Sequence, residues 1–306
     1  MTDPQSHGAA SIGRRAWLGV AVGIASALCF GMSVIFAREV YAAGGSPQAI
    51  IGVRLSAVFV VLLTYALVAG KPIRLRPRQR AIACALGVLM CFQTLSIYAS
   101  FLFVPISLAV LIEYVYPLLV AILMRIVVGE PLTPVKLASI AAAFAGLSLV
   151  LQVSLLDLDA RGVALAGLSA AGLSILFVAT NRTLGNVDSL RIMLHMQPCG
   201  ALVGMIAFLA TDSFVLPATD RGMISLFAIA ALNGIALFSM FSALSMTGPT
   251  RIALTLSAEP VFVIVLSYFL LDEVLTPLQA AGGALIVGAI FAMQIWGGRK
   301  TAPAAG

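Results

Sequence analysis

The sequence predicts an all-α integral membrane protein with ten transmembrane helices, arranged as two inverted five-helix repeats. Three observations predict it. Apolar residues make up 61% of the 306 and charged residues 10%, against roughly half and a quarter in soluble domains. These apolar residues gather into tracts long enough to cross a hydrocarbon core, which takes about 20 residues. A stretch of the sequence also recurs at a fixed offset of 143 positions. A mean hydropathy of +1.09 leaves too little polar surface for a soluble enzyme, a disordered chain or a nucleic-acid-binding domain. The net charge of +6 sits between the apolar tracts, where it orients membrane proteins.

The first span is 16–37, preceded by Arg14 and Arg15. It is longer than a secretory hydrophobic region and lacks a small-residue cleavage site, so it reads as uncleaved. The paired arginines then read as flanking charge rather than as a twin-arginine signal. Further self-contained spans are 48–69, 134–153, 163–180, 192–210 and 277–296. Two tracts are double length. Residues 81–129 carry only Glu113 and Arg125 as charges, and residues 222–271 only Arg251 and Glu259. Each is two spans joined by a short turn, near Phe103-Val104-Pro105 and near Thr247-Gly248-Pro249, because proline cannot donate into a helix and disfavours helix before it.

The charges test this count. Ten spans with a cytoplasmic N-terminus put fourteen Lys and Arg residues on the cytoplasmic side and three on the other, as the positive-inside rule requires. Both termini are then cytoplasmic.

The recurring segment fixes the architecture. Tyr116-Pro117 and Gly129-Glu130-Pro131-Leu132-Thr133-Pro134 match Glu259-Pro260 and Asp272-Glu273-Val274-Leu275-Thr276-Pro277. Spans four and five thus correspond to nine and ten, and the chain divides into a tail (1–15), a first half (16–153), a second half (163–297) and a tail (298–306). Five is odd, so the second half enters the membrane upside down. Inverted repeats of this kind mark secondary transporters, with the substrate near mid-depth at the repeat interface.

On these proline and Glu-Leu-Thr-Pro-type segments, with Gly52-Val53-Arg54 in span two and Gly146, Gly282, Gly283 and Gly288 in spans five and ten, the chain resembles the EamA-type family of the drug/metabolite transporter superfamily from about Trp17 to Trp296. Phe30-Gly31 stands where many members have Trp-Gly. The resemblance implies a multi-pass protein of the bacterial inner membrane with a central cavity lined by helices 1, 3, 4, 6, 8 and 9. It also implies export of amino acids or related small metabolites, with nucleosides, nucleobases or hydrophobic cationic drugs as the alternative substrates. Expected partners are a small-molecule substrate, membrane lipids and protons, with no cofactor and no nucleic acid. Monomer and homodimer are both left open.

Ionisable groups within spans are costly and need a reason. At about 1.5 Å of rise per residue, Arg54 lies about 10 Å in from the outer side and Glu113 about 12 Å, so an Arg54–Glu113 ion pair is expected to be possible. Glu259 and its repeat counterpart Tyr116 both fall near the midplane. Burial disfavours the charged form of a carboxyl, so Glu113 and Glu259 are candidates for proton binding or for recognising a substrate ammonium group. Their structural alternative is a static pair or cap. Arg54 is read as a pairing partner or as a contact for a substrate carboxylate. Ser33, Gln93, Tyr98, Asn181, Asn233 and Phe238 are candidate cavity residues, each with interhelical packing as its alternative. Pro117 and Pro260, expected mid-helix, are candidate hinges or fixed kinks.

The four cysteines, Cys29, Cys84, Cys91 and Cys199, lie in apolar tracts and are expected to be buried thiols, forming neither a disulfide nor a zinc site. His195 reads as structural, and Gly200-x-x-x-Gly204 as a close-packing motif. Gly70-Lys71 lacks the rest of a phosphate-binding loop, so ATP drive is not expected. An intramembrane enzyme would need clustered nucleophile, base or metal ligands, and a channel would need rings of selectivity residues. The sequence shows neither pattern.

Overall fold

The structure is a computed structural model that describes residues 4–129, 132–152, 159–184, 187–247 and 255–296. Every regular element among the described residues is helical. In chain order these are α1 (Pro4–Ile35), α2 (Ala37–Ala42), α3 (Pro47–Val68), α4 (Pro77–Ser100), α5 (Ile106–Glu113), α6 (Tyr116–Val128), α7 (Pro134–Gln152), α8 (Ala160–Leu184), α9 (Ser189–Ala210), α10 (Asp220–Thr247), α11 (Glu259–Leu271) and α12 (Pro277–Trp296). Five begin on proline, whose missing N–H and fixed φ suit the first turn. Ser46 caps α3 by accepting from the Ala49 N–H, and Asp188 caps α9 by accepting from the Leu190 N–H.

Among the described residues seven stretches are long and apolar enough to cross a membrane: Trp17–Ala42, Pro47–Val68, Pro77–Ser100, Ile106–Val127, Ala160–Leu184, Ser189–Ala210 and Asp220–Met240. Pro134–Leu149, Glu259–Leu271 and Pro277–Met293 are shorter apolar helices. Large apolar side chains such as Val68, Ile126 and Phe269 stand outward and exposed, as they do where the surrounding solvent is lipid. The Phe103-Val104-Pro105 turn separates α4 from α5. Gly248-Pro249 and Glu130-Pro131, on which the second turn and part of the repeat rest, lie outside the described residues.

The strong helix contacts join one half of the chain to the other. α1 packs on α10 as α8 packs on α4, α1 on α11 as α8 on α5 and α6, and α3 on α10 as α9 on α4. The pairs α3–α9 and α7–α12 map onto themselves when the halves are exchanged. This pattern places the ends of α5, α6 and α11 at the centre.

Two expectations change here. Pro117 and Pro260 do not sit mid-helix. The chain turns at Tyr114-Val115 between α5 and α6, and at Ser257-Ala258 before α11, so each proline occupies the first turn of a new helix. There its absent N–H leaves no hydrogen bond unmade. The two interruptions are 143 positions apart. So are the left-handed residues that end these helices, Gly129 (φ 76°) and Asp272 (φ 55°).

Cys84 and Cys199, expected as separate thiols, form a disulfide, while Cys29 and Cys91 are free. The cause is a glycine contact between α4 and α9. Gly87 and Gly200 bring the two backbones together so closely that a Cβ at Gly87 would collide with the Met196 carbonyl, and one at Gly200 with the Gly87 carbonyl. Close approach leaves the Cα atoms of Cys84 and Cys199 5.1 Å apart, within the range a disulfide spans.

Candidate functional site

The two interruptions meet at a cavity of about 260 Å³, below the roughly 300–1,000 Å³ of pockets that hold drug-sized ligands. On a continuous helix, which repeats every 3.6 residues, neighbours 113 and 114 would point about 100° apart. With the chain broken at Tyr114-Val115, Glu113, Tyr114 and Tyr116 all line the cavity, joined from the second break by Glu259.

The two carboxylates are held differently. One oxygen of Glu113 accepts from Gln93 Nε2 at 2.8 Å and from Ser169 Oγ at 2.6 Å, and Gln93 Nε2 also donates to Ser169 Oγ. Glu113 is thus locked into a cage built by α4 and α8. Glu259 Oε2 has a single bond, from the Tyr114 hydroxyl at 2.7 Å, which links the end of α5 to the start of α11. Glu113 Oε2 and Glu259 Oε1 each lack a donor among the described residues.

Opposite in charge, Arg54 lines the same cavity with its guanidinium 5.7 Å from the centre of the Tyr98 ring. It makes no hydrogen bond or ion pair with a described residue, so the expected Arg54–Glu113 pair does not form. The Gln93 and Ser169 donors have taken the place an arginine would fill. Tyr98 is 1% exposed and its hydroxyl also has no partner among the described residues. A buried hydroxyl left unpaired costs about 1–3 kcal/mol, and a cavity-lining one regains that on binding a ligand. Much of the remaining wall is aromatic. Tyr116 stacks on Phe177 with centroids 5.4 Å apart and meets Tyr114 edge-on at 5.8 Å, while Phe30 closes another side.

Of the sequence candidates, Ser33, Arg54, Gln93, Tyr98, Glu113, Tyr116, Asn233 and Glu259 come together here. Two do not. Asn181 is exposed near the C-terminal end of α8, where a polar side chain meets water or headgroups. Phe238 is 48% exposed and packs edge-on against Tyr65 at 5.6 Å, on the outer side of α10. Ser33 donates to the Phe30 carbonyl and Asn233 to the Ile229 carbonyl, so both serve their own helices as well as the wall. Sequence reasoning missed Tyr114, Phe177, Thr94 and Ser169. His195 binds the Arg191 carbonyl within α9, and no group of three or more metal-ligating side chains occurs among the described residues.

α5 and α11 pack together, and the acids at their ends line this cavity. The Pro105 end carries polar ties between the halves: Glu273 to the first residues of α5, Arg38 to the Leu271 carbonyl, and Arg221 to Glu39. Ser46 and Val215 exchange hydrogen bonds there as well. Towards the other end α6 leans on α8.

A sequence model of the EamA-like transporter family matches twice, over residues 17–152 and 160–294. No curated protein sequence matches the chain. Among 26 matching chains of known structure is a crystal structure at 19% identity, superposing with a TM-score of 0.64 over 90% of this chain and 96% of that one. At that identity the likeness speaks for the fold.

Proposed function

We propose, from the premise that the chain belongs to the EamA-like transporter family of the drug/metabolite transporter superfamily, that it is a secondary carrier exporting an amino acid or a related zwitterionic metabolite by alternating access, in exchange for protons. The observation that carries this reading is the polarity of the cavity. Arg54, which makes no hydrogen bond or ion pair with a described residue, and the Tyr98 hydroxyl, which has no hydrogen-bond partner among them, offer a pole for a carboxylate. The open oxygens of Glu113 and Glu259 offer one for an ammonium group. Size fits too, since the cavity suits a metabolite better than a drug. The aromatic walls and two acids also favour a flat organic cation, but the positive charge of Arg54 in the same cavity opposes one.

In this reading the ten helical spans are two inverted repeats in the bacterial inner membrane, with both termini cytoplasmic. Support comes from the exchange pattern of the packing pairs and from the fourteen-to-three split of basic residues. Glu259, held by one hydrogen bond, is the group that trades a proton for the substrate ammonium.

Counterflow in proteoliposomes tests the proposal. Purified protein is reconstituted and preloaded in turn with each standard amino acid, with a nucleoside and with tetraphenylphosphonium, and labelled uptake is followed. Trans-stimulation confined to amino acids is the expected outcome. Stimulation only by the nucleoside or the organic cation would overturn the substrate class, and its absence with every probe would overturn the carrier.

A further inference from the structure

The N-terminus of α5 is capped from 167 residues away. Its own N-cap, Pro105, has no side-chain acceptor, and the first N–H groups of any helix lack intrahelical partners. Glu273 supplies what is missing. Its Oε1 accepts from the Ile106 N–H at 3.0 Å, and its Oε2 accepts from the Ser107 N–H at 3.1 Å and the Ser107 hydroxyl at 2.8 Å. A carboxylate at this end also meets the positive end of the helix dipole, and all three bonds are charge-assisted.

The loop that carries Glu273 is stiff at both ends. Asp272 ends α11 in the left-handed conformation, and the Glu273 N–H returns to the Ser267 carbonyl. On the other side Thr276 and Gln279 cap α12 reciprocally, each accepting from the other's N–H. Beside this loop, Arg38 of α2 donates to the Leu271 carbonyl at the last turn of α11.

We infer that Glu273 is a latch: it holds the cavity shut at the Pro105 end and is released once in each transport cycle. α5 is a rigid rod of eight residues from the latch to Glu113, and α11 one of thirteen from Glu259 to the latch loop. The rods are tied at one end by Glu273 and at the other by the Tyr114–Glu259 hydrogen bond. Opening that end of the cavity separates them, which strips three bonds from one carboxylate. Glu273 acts through α5 and touches no substrate, so it is a positioning residue. The latch rests on the carrier reading for its purpose but not for its geometry.

Side-specific labelling tests it. Leu173, which lines the cavity, is replaced by cysteine in a Cys29→Ser/Cys91→Ser chain that keeps Cys84 and Cys199. A membrane-impermeant maleimide is then applied from each face of sealed vesicles. Glu273→Gln should raise labelling from the Pro105 face about tenfold, the order expected when charged hydrogen bonds are lost, and lower it from the other. Ser107→Ala should move labelling the same way by less, and Glu273→Asp should return it towards the parent. Both Glu273 variants are compared as folded protein by size-exclusion profile. Unchanged labelling from both faces in folded Glu273→Gln would overturn the latch, whatever the counterflow result. Shifted labelling in a chain that shows no counterflow would uphold the latch and sink the carrier reading.

Discussion

The two helix interruptions share a backbone design and differ in chemistry. At Tyr114-Val115 and at Ser257-Ala258 the chain turns, restarts on a proline-bearing first turn and ends one helix later in a left-handed residue. Around the first break, however, Glu113 is clamped by Gln93 and Ser169. At the second, Glu259 has one hydroxyl partner. The comparison teaches that the repeat dictates where the backbone breaks, while neighbouring helices decide how firmly each acid is held. One carboxylate accepts two hydrogen bonds from the wall, and the other accepts one.

Four measurements break or sharpen this contrast. The largest effect belongs to the loosely held acid. Glu259→Gln should lower the rate of counterflow by about a hundredfold or more, in line with loss of an interaction central to the cycle, and remove its dependence on a pH gradient. It should leave the melting temperature in detergent near that of the parent. Glu113→Ala should do the reverse in emphasis. It strands Gln93 and Ser169 inside the protein and should cost about 2–4 kcal/mol of stability, read as a clear fall in melting temperature. Equal thermal losses in the two variants would dissolve the distinction between a fixed and a mobile acid.

Arg54 lines the same cavity as both acids. Arg54→Gln should raise the KM for substrate about tenfold with the maximal rate little changed, the pattern of a lost ground-state contact. A fall in maximal rate at constant KM would make Arg54 part of the conformational step instead. The smallest effect compares the helix ends. Gly129→Ala should cost about 1 kcal/mol, because alanine is strained at positive φ. Asp272→Gly should be neutral or slightly stabilising, as glycine relieves that strain. Thermal unfolding of the two variants side by side reads the difference, and a common sign would mean that the equivalent positions are not under equivalent strain.

Much of this was legible in the sequence, for identifiable reasons. The Tyr-Pro and Glu-Pro pair and the Thr-Pro segments, spaced by 143, revealed a doubled module and matched the positions of the two breaks. Deep charges announced Arg54, Glu113 and Glu259, because lipid makes ionised groups too costly to keep without a role. Other features were hidden by physics that a linear pattern does not carry. Tyr114 neighbours Glu113, and on an intact helix the two would point about 100° apart; only the break lets both face inward. The proline at 117 was the available signal, since it implied that helical periodicity could not be trusted across 113–116. Polarity points to Asn181 and aromaticity to Phe238, but neither property says which side of an all-apolar helix faces inward. The Cys84–Cys199 bond depends on which helices meet through Gly87 and Gly200; Gly200-x-x-x-Gly204 signals close packing but not its partner.

One feature of the packing bears on how the protein is made. The principal neighbours of α1, α3, α4 and α7 are α10, α9, α8 and α12, all encoded downstream. As the nascent polypeptide leaves the ribosome, its early segments enter the bilayer with their tightest seams still uncovered. The seams lined by Gly87 and Gly146 stay open until Gly200 and Gly282 arrive. A first half made without the second would therefore leave these glycine-lined seams uncovered.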